Sequence, residues 1–398
     1  MWRRVDRLFG VDRNTWNVRI DRYFVYKLDA ILVLEDGRAY RGRSIGCRGR
    51  TFGEVVFNTS MTGYQEIASD PSYSGQIVAF TAPQIGNYGI AKDDAQAPRP
   101  LMQGLVVREL SQIASNWRSQ MTLADWLEEN GVVGIAEVDT RALTRALRDK
   151  GAMRAGIFSD QELTAWPPAD AQLEPLVEAV RESPSLVGRD LTAEASTQAV
   201  QSHNADAAGP HLALLDFGVK KGIVDALCAR GLRVTQFPAT TPADEIGRLG
   251  ADALFLSNGP GDPDAVRPGV ETVSELVGKL PIFGICMGHQ IMALALGAKT
   301  YKMSFGHHGG NHPVKDLQTG QVWITAQNHG FAVDPDTLPG GAQITHRSLY
   351  DGTLEGFAVE ERRVRTVQYH PEGCPGPSDA QPFFDRMVLS LKGGTSNL

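Results

Sequence analysis

Gly284-Ile285-Cys286-Met287-Gly288-His289-Gln290 decides how this 398-residue chain is read. An apolar run bounded by glycine, residues 281–285, precedes the cysteine and predicts a short buried strand. A run rich in Leu, Met and Ala, 289–296, follows and predicts a helix. Cys286 falls at the turn between them. Gly284 and Gly288 flank it at the spacing of a nucleophile elbow, where glycine lets the backbone turn tightly and expose the side chain. A thiol at a helix N-terminus meets the positive end of the helix dipole, which favours the thiolate, the form that attacks a carbonyl carbon. Taken alone, a lone cysteine at a strand end reads more readily as a small buried apolar residue. Residues 364–369 shift that balance, because they alternate like a strand and run into His370-Pro371-Glu372, a base and a carboxylate on one loop. A cysteine with a histidine that an acid orients is the thiol version of the catalytic triad, recognised by roles and not by chain order.

Working outward, hydrophobic residues make up 42% of the chain and charged residues 21%, the balance of a globular protein with room for two cores. A net charge of −7 gives no basic footprint for nucleic acid, so no such partner is expected. No apolar run approaches the roughly 20 residues of a membrane span, and no membrane association is expected. Cys47, Cys228, Cys286 and Cys374 lie far apart without a Cys-x-x-Cys pair, which suggests neither a disulfide framework nor a zinc site and fits a reducing cytoplasm. Neither Gly-x-x-x-x-Gly-Lys-Ser/Thr nor Gly-x-Gly-x-x-Gly occurs, so nothing in the sequence signals nucleotide binding.

Residues 1–28 mix arginines with aspartates and carry no long apolar stretch. They read as a poorly ordered extension or an over-long start, and an amphipathic targeting helix fits less well because of the aspartates. A strand-rich, mixed α/β domain is expected over 29–191. It has a hairpin at 30–41 around Asp36-Gly37, strands at 54–58, 76–81 and 105–108, and helices at 123–130 and 140–150, the latter capped by Asp139 or Thr140 and stopped at Gly151. Residues 192–210 have linker composition. Over 211–392, strands at 211–216, 233–237 and 253–257 alternate with helices at 220–230 and 242–249, which predicts a mostly parallel sheet flanked by helices. Ligands of such sheets bind beyond the carboxyl ends of the strands, where both Cys286 and the turn Ser257-Asn258-Gly259-Pro260-Gly261-Asp262-Pro263 would emerge. Backbone N–H groups of that turn are suited to an oxyanion. His307-His308-Gly309-Gly310-Asn311-His312 lacks an acidic or Cys partner at ligand spacing and reads as a structural or solvated loop, with no metal assigned. Gln327-Asn328-His329-Gly330-Phe331 suits either a small polar ligand or a turn.

Gly-Ile-Cys-Met-Gly-His-Gln with a distant His-Pro-Glu resembles the class I glutamine amidotransferases, and the 257–263 turn resembles them too. The N-terminal half narrows the resemblance. Residues 53–66 (GEVVFNTSMTGYQE), 70–74 (DPSYS) and 85–89 (IGNYG), with 305–314 in the second domain, are similar to the small subunit of carbamoyl-phosphate synthetase. The similarity runs from about 29 to about 391; the first residues and the 192–210 stretch depart from the family pattern. The resemblance implies glutamine hydrolysis through a Cys286 thioester, with His370 as general base and acid and Glu372 orienting it. It implies an oxyanion hole from the N–H groups of Met287 and Gly259. Glutamine would be held by Ser72, Gly259, Gly261, Met287, Gln290, Asn328, Gly330 and Phe331. It further implies a large-subunit partner that receives the ammonia and carries ATP and Mg, no cofactor in this chain, and a product for arginine and pyrimidine biosynthesis. A non-catalytic scaffold on the same fold and a stand-alone thiol hydrolase are the competing readings.

Overall fold

The computed structural model describes residues 29–159 and 170–393. The extension expected at 1–28 lies outside the described residues. The expected strand-rich first half is a closed barrel of seven strands, running around its circumference as Ala30–Leu34, Ala39–Gly46, Val133–Ala136, Gly104–Val106, Gln76–Phe80, Arg50–Asn58 and Met153–Phe158. Closure comes from antiparallel pairing of the first strand with the last, Leu32 opposite Ile157. Side chains alternate as pleating requires. Ala30, Leu32 and Leu34 join Val55, Ile77 and Ile157 in one cluster, while Ile31 and Val33 pack on Leu176, Val177 and Val180 of the helix Asp170–Glu182. Helix Thr140–Lys150 adds Leu143 and Leu147 to the first cluster; its N-cap is Asp139, whose carboxylate accepts from Ala142 N at 3.0 Å.

The second half is a ten-stranded mixed sheet. Its centre is parallel, in the order Arg233–Pro238, His211–Asp216, Ala253–Leu256, Ile282–Ile285 and Val364–Val367. Strands Leu354–Val359, Gln343–Ser348, Thr300–Asp316 and Val322–Val333 extend it by antiparallel pairing. The innermost parallel stretches, residues 212–215, Ala253–Leu256 and Ile282–Ile285, are apolar throughout because both faces are covered. Helices Lys221–Ala229 and Pro382–Leu391 cover one face with Ile223, Leu227, Phe383, Phe384 and Met387. Helices Ala243–Arg248, Arg267–Leu276 and Met287–Ala295 cover the other with Ile246, Val273, Leu276 and Ile291. Among the described residues no helix is long and apolar enough to cross a membrane.

Three expectations change. The 192–210 stretch is not featureless: Thr192–Ala195 is a short helix, Gln201–His203 adds an antiparallel edge strand to the sheet, and Asp216 Oδ2 accepts from Thr197 N at 2.7 Å. The histidine run 307–312 is neither a loop nor solvated. It lies within the strand Thr300–Asp316, and His307, His308 and His312 are buried. Register shifts after Lys302 and after Gly309, with Gly306 at φ +68°, interrupt the simple alternation and let neighbouring histidines both face protein. Residues 327–331 likewise belong to the strand Val322–Val333 instead of a turn.

Candidate active site

The loop from strand Ile282–Ile285 to helix Met287–Ala295 consists of Cys286 alone, held at φ 53° and ψ −104°, a conformation that L-residues avoid at a cost of about 1–3 kcal/mol. The surroundings impose it. Cys286 N donates to the Val367 carbonyl at 2.9 Å, Gly288 N donates to the Ser257 carbonyl at 2.9 Å, and His289 N returns to the Cys286 carbonyl at 3.1 Å. Gly288 is required for this approach, since a Cβ there would lie 2.3 Å from the Leu256 carbonyl oxygen. The thiol points to the Asn328 carbonyl at 3.5 Å.

Val364–Val367 runs beside that strand and delivers His370 and Glu372. His370 N donates to the Ala326 carbonyl at 2.9 Å, and its Nδ1 meets Glu372 Oε1 at 2.7 Å, which leaves Nε2 free of any hydrogen bond on the thiol side. Burial, the largest single effect, and Lys220 push the imidazole pKa down, but the Glu372 carboxylate and Cys286 together outweigh them and raise it to about 10. Burial alone would raise Glu372; Lys220 and His370 instead hold it well below the usual carboxylate range.

Lys220 is a charged side chain at this site that sequence reading missed. Its Nζ lies 2.7 Å from the same Glu372 Oε1, with both side chains buried, so one carboxylate oxygen joins an ammonium to the imidazole. The available signal was its place one turn beyond the carboxyl end of the strand His211–Asp216, on the edge where parallel sheets bind ligands. Breaking a buried pair from one side costs about 3–5 kcal/mol, whereas removing both charges costs much less. Lys220→Met and Glu372→Gln should therefore each destabilise strongly, and the double variant should be more stable than either. Denaturant unfolding of the three checks this, and additive losses would show that the two charges are not coupled.

The side chains read as glutamine ligands converge. Ser72, Gly259, Gly261, Met287, Gln290, Asn328, Gly330 and Phe331 all line one pocket together with Cys286; His329, from the stretch read as suited to a small polar ligand, and Gln76 and Leu186, not anticipated from sequence, complete its wall. Ser72 comes from the barrel half, in a turn capped by Asp70. Asp70 Oδ1 accepts from Ser72 N and its Oδ2 accepts from Asn328 Nδ2, both at 2.9 Å, so one carboxylate ties the two halves together at the pocket. Asn258 Nδ2 donates to Ser72 Oγ at 3.0 Å. Gln290 Nε2 donates to the Phe331 carbonyl at 2.7 Å and to Gln368 Oε1 at 3.0 Å, and the Lys302 ammonium sits 4.7 Å over the Phe331 ring. Gly259 packs where a Cβ would lie 2.4 Å from the Phe217 carbonyl oxygen, which keeps its backbone against the pocket. His289, by contrast, is a core residue. It bonds Thr366 Oγ1 through Nδ1, sits against Phe357, and burial depresses its pKa to about 3.

An elbow thiol facing a histidine and a glutamate at the carboxyl edge of a parallel sheet is the arrangement of a class I glutamine amidotransferase, and residues 213–389 match the family described as glutamine amidotransferase class-I. Residues 32–157 match the carbamoyl-phosphate synthase small chain, CPSase domain. The chain is 48% identical to the carbamoyl phosphate synthase small chain of Pseudomonas aeruginosa, over 91% of this chain and 98% of that one. It is also 48% identical to that of Vibrio cholerae, with the same two shares covered. The chain belongs to the carbamoyl-phosphate synthase small chain family, the glutamine amidotransferase chains of that synthase.

Proposed function

We propose that Cys286, His370 and Glu372 carry out the hydrolysis of L-glutamine and that the ammonia released passes to a carbamoyl-phosphate synthase large chain. The observation that carries this reading is the strained Cys286 turn, with the His370–Glu372 pair delivered by the adjoining parallel strand. Sulfur attacks the side-chain amide carbon of glutamine, and the carbonyl oxygen takes up the negative charge beside the N–H groups of Met287 and Gly259. His370, holding the thiol proton, gives it to the amide nitrogen; the C–N bond breaks and ammonia leaves a thioester. Water then attacks the thioester, giving its proton to His370; the C–S bond breaks, the proton returns to sulfur, and glutamate departs. The pocket's Ser72 and Asn328 suit the substrate's amino-acid end or its amide, since both are polar groups fixed by Asp70 or Asn258.

The second chain supplies what this one lacks by sequence: ATP and Mg chemistry, and use of the ammonia in carbamoyl phosphate for arginine and pyrimidine biosynthesis in the cytoplasm. Hydrolysis without an acceptor would waste ammonia, so partner binding is expected to switch the site on. A displacement of about 1 Å can lose roughly 100-fold in rate, and here Ser72 and Asp70 of one half bond Asn258 and Asn328 of the other. The test is kcat/KM for glutamine with the chain alone, with its large chain, and with bicarbonate and ATP added. A large rise on adding partner and ligands is expected. Equal values in the three conditions would favour a stand-alone hydrolase.

A further inference from the structure

His307, His329 and Glu355 come from three different strands, Thr300–Asp316, Val322–Val333 and Leu354–Val359, and all are buried. His307 Nδ1, His329 Nε2 and Glu355 Oε1 lie within 4.8 Å of one another, and none of them has a hydrogen-bond partner. The other polar atom of each residue is engaged. His307 Nε2 meets Asp351 Oδ2 at 2.9 Å, His329 Nδ1 donates to the Phe331 carbonyl at 2.8 Å, and Glu355 Oε2 accepts from Gln327 Nε2 at 2.8 Å. For His329 the carbonyl contact places the proton on Nδ1 and leaves a lone pair on Nε2, whereas His307 lies between two carboxylates and presents a lone pair at Nδ1 only when the proton facing Glu355 is displaced.

Three potential ligand atoms therefore converge at a buried site. His307 Nδ1 stands 3.4 Å from Glu355 Oε1, and His329 Nε2 stands 4.0 Å from the same oxygen. Ligand atoms around a tetrahedral Zn²⁺ with bonds of about 2.1 Å are separated by roughly 3.4 Å, so a small inward movement of the rings suffices to bond one ion. An imidazole pair with one carboxylate, each backed by an outer hydrogen bond, is the donor set of borderline divalent transition metals and not of Ca²⁺ or Mg²⁺. We propose that His307, His329 and Glu355 bind one such cation, of the Zn²⁺ class, behind the wall of the glutamine pocket that His329, Gly330 and Phe331 form. The ion would cross-link three strands and hold Asn328 to Phe331 in place. Its competitor is a proton: burial pushes the His307 pKa down, but Asp351 and Glu355 push it up to about 9, so an imidazolium pairs with Glu355 when no cation does.

The experiment uses the full chain as Cys286→Ala, stripped with a chelator and titrated with Co²⁺ and then Zn²⁺. Expected is one equivalent of Co²⁺ bound with the visible bands of a four- or five-coordinate ion, without the near-ultraviolet thiolate band that binding at Cys47, Cys228 or Cys374 would give, and its displacement by Zn²⁺. Glu355→Gln should lose this binding. Asp351→Asn, a change at a half-exposed position behind His307, should weaken it about 10- to 100-fold and keeps the test open if Glu355→Gln fails to fold. Absence of stoichiometric binding, binding through thiolate, or equal affinity in Asp351→Asn would overturn the proposal and leave the proton as the link between His307 and Glu355.

Discussion

Cys286→Ala is expected to lower glutamine-dependent carbamoyl phosphate synthesis by at least about 10⁴-fold while ammonia-dependent synthesis by the two-chain complex continues unchanged. The size follows from what the side chain does: losing the nucleophile of a triad removes nearly all of the catalysis that the triad provides, and binding alone cannot replace it. The selectivity follows from position. Cys286 sits in a one-residue loop whose N–H is held by the Val367 carbonyl, with Gly288 just beyond it held by Ser257, and Ala can occupy the same turn, so the change removes sulfur without moving the sheet. Relief of the strained conformation by glycine gives a control: Cys286→Gly should unfold at higher denaturant than Cys286→Ala if that strain is stored in the folded chain. Retained glutamine use in the alanine variant would remove Cys286 from the role of nucleophile, and a parallel loss of ammonia-dependent synthesis would show that the substitution damages the assembly instead of the chemistry.

How far the site could be seen in the sequence depended on how local its causes are. The elbow was legible because strand, turn and helix are contiguous, and Gly284 and Gly288 mark the close approach. The parallel strand at 211–216 has the bounds expected, because a continuous apolar run between turn signals is what a strand buried on both faces requires. The antiparallel extension was illegible for the opposite reason. Gly, His and Asn dominate 306–312, and that composition reads as loop unless one knows that Glu355 and Asp351, more than 40 residues downstream, supply partners for His307. Lys220 was hidden in the same way, its carboxylate lying 152 residues away. Barrel closure too is a long-range pairing, of the strand at Ala30–Leu34 with that at Met153–Phe158, which no local pattern announces. The pocket residues Ser72 and Asn328 were named through family resemblance, and the hydrogen bonds of Asp70 and Asn258 give the physical reason that they meet.

The sharpest separation of roles should come from pH. His370→Ala is expected to cost roughly 10⁴- to 10⁶-fold in glutaminase kcat/KM, and Glu372→Gln one to two orders of magnitude less, because the first removes the proton carrier and the second only its orienting partner. The Glu372 variant carries the more specific signature. In the native array burial and Lys220 both work against the charged imidazole, and the Glu372 carboxylate together with Cys286 outweighs them, which raises the His370 pKa to about 10. Delivery of the His370 proton to departing ammonia should then fail only above that pH. With glutamine in place of Glu372 the principal opposing charge is gone while burial and the Lys220 ammonium remain, so the alkaline limb of kcat/KM should move downward by roughly 1–3 units. Adding Lys220→Met removes the ammonium as well, and the limb should move part of the way back. A merely structural Glu372 would lower the rate at every pH and leave the limb where it stands. A limb that stays near pH 10 in Glu372→Gln, or a Glu372→Gln loss larger than that of His370→Ala, would mean that the carboxylate does not act through the histidine.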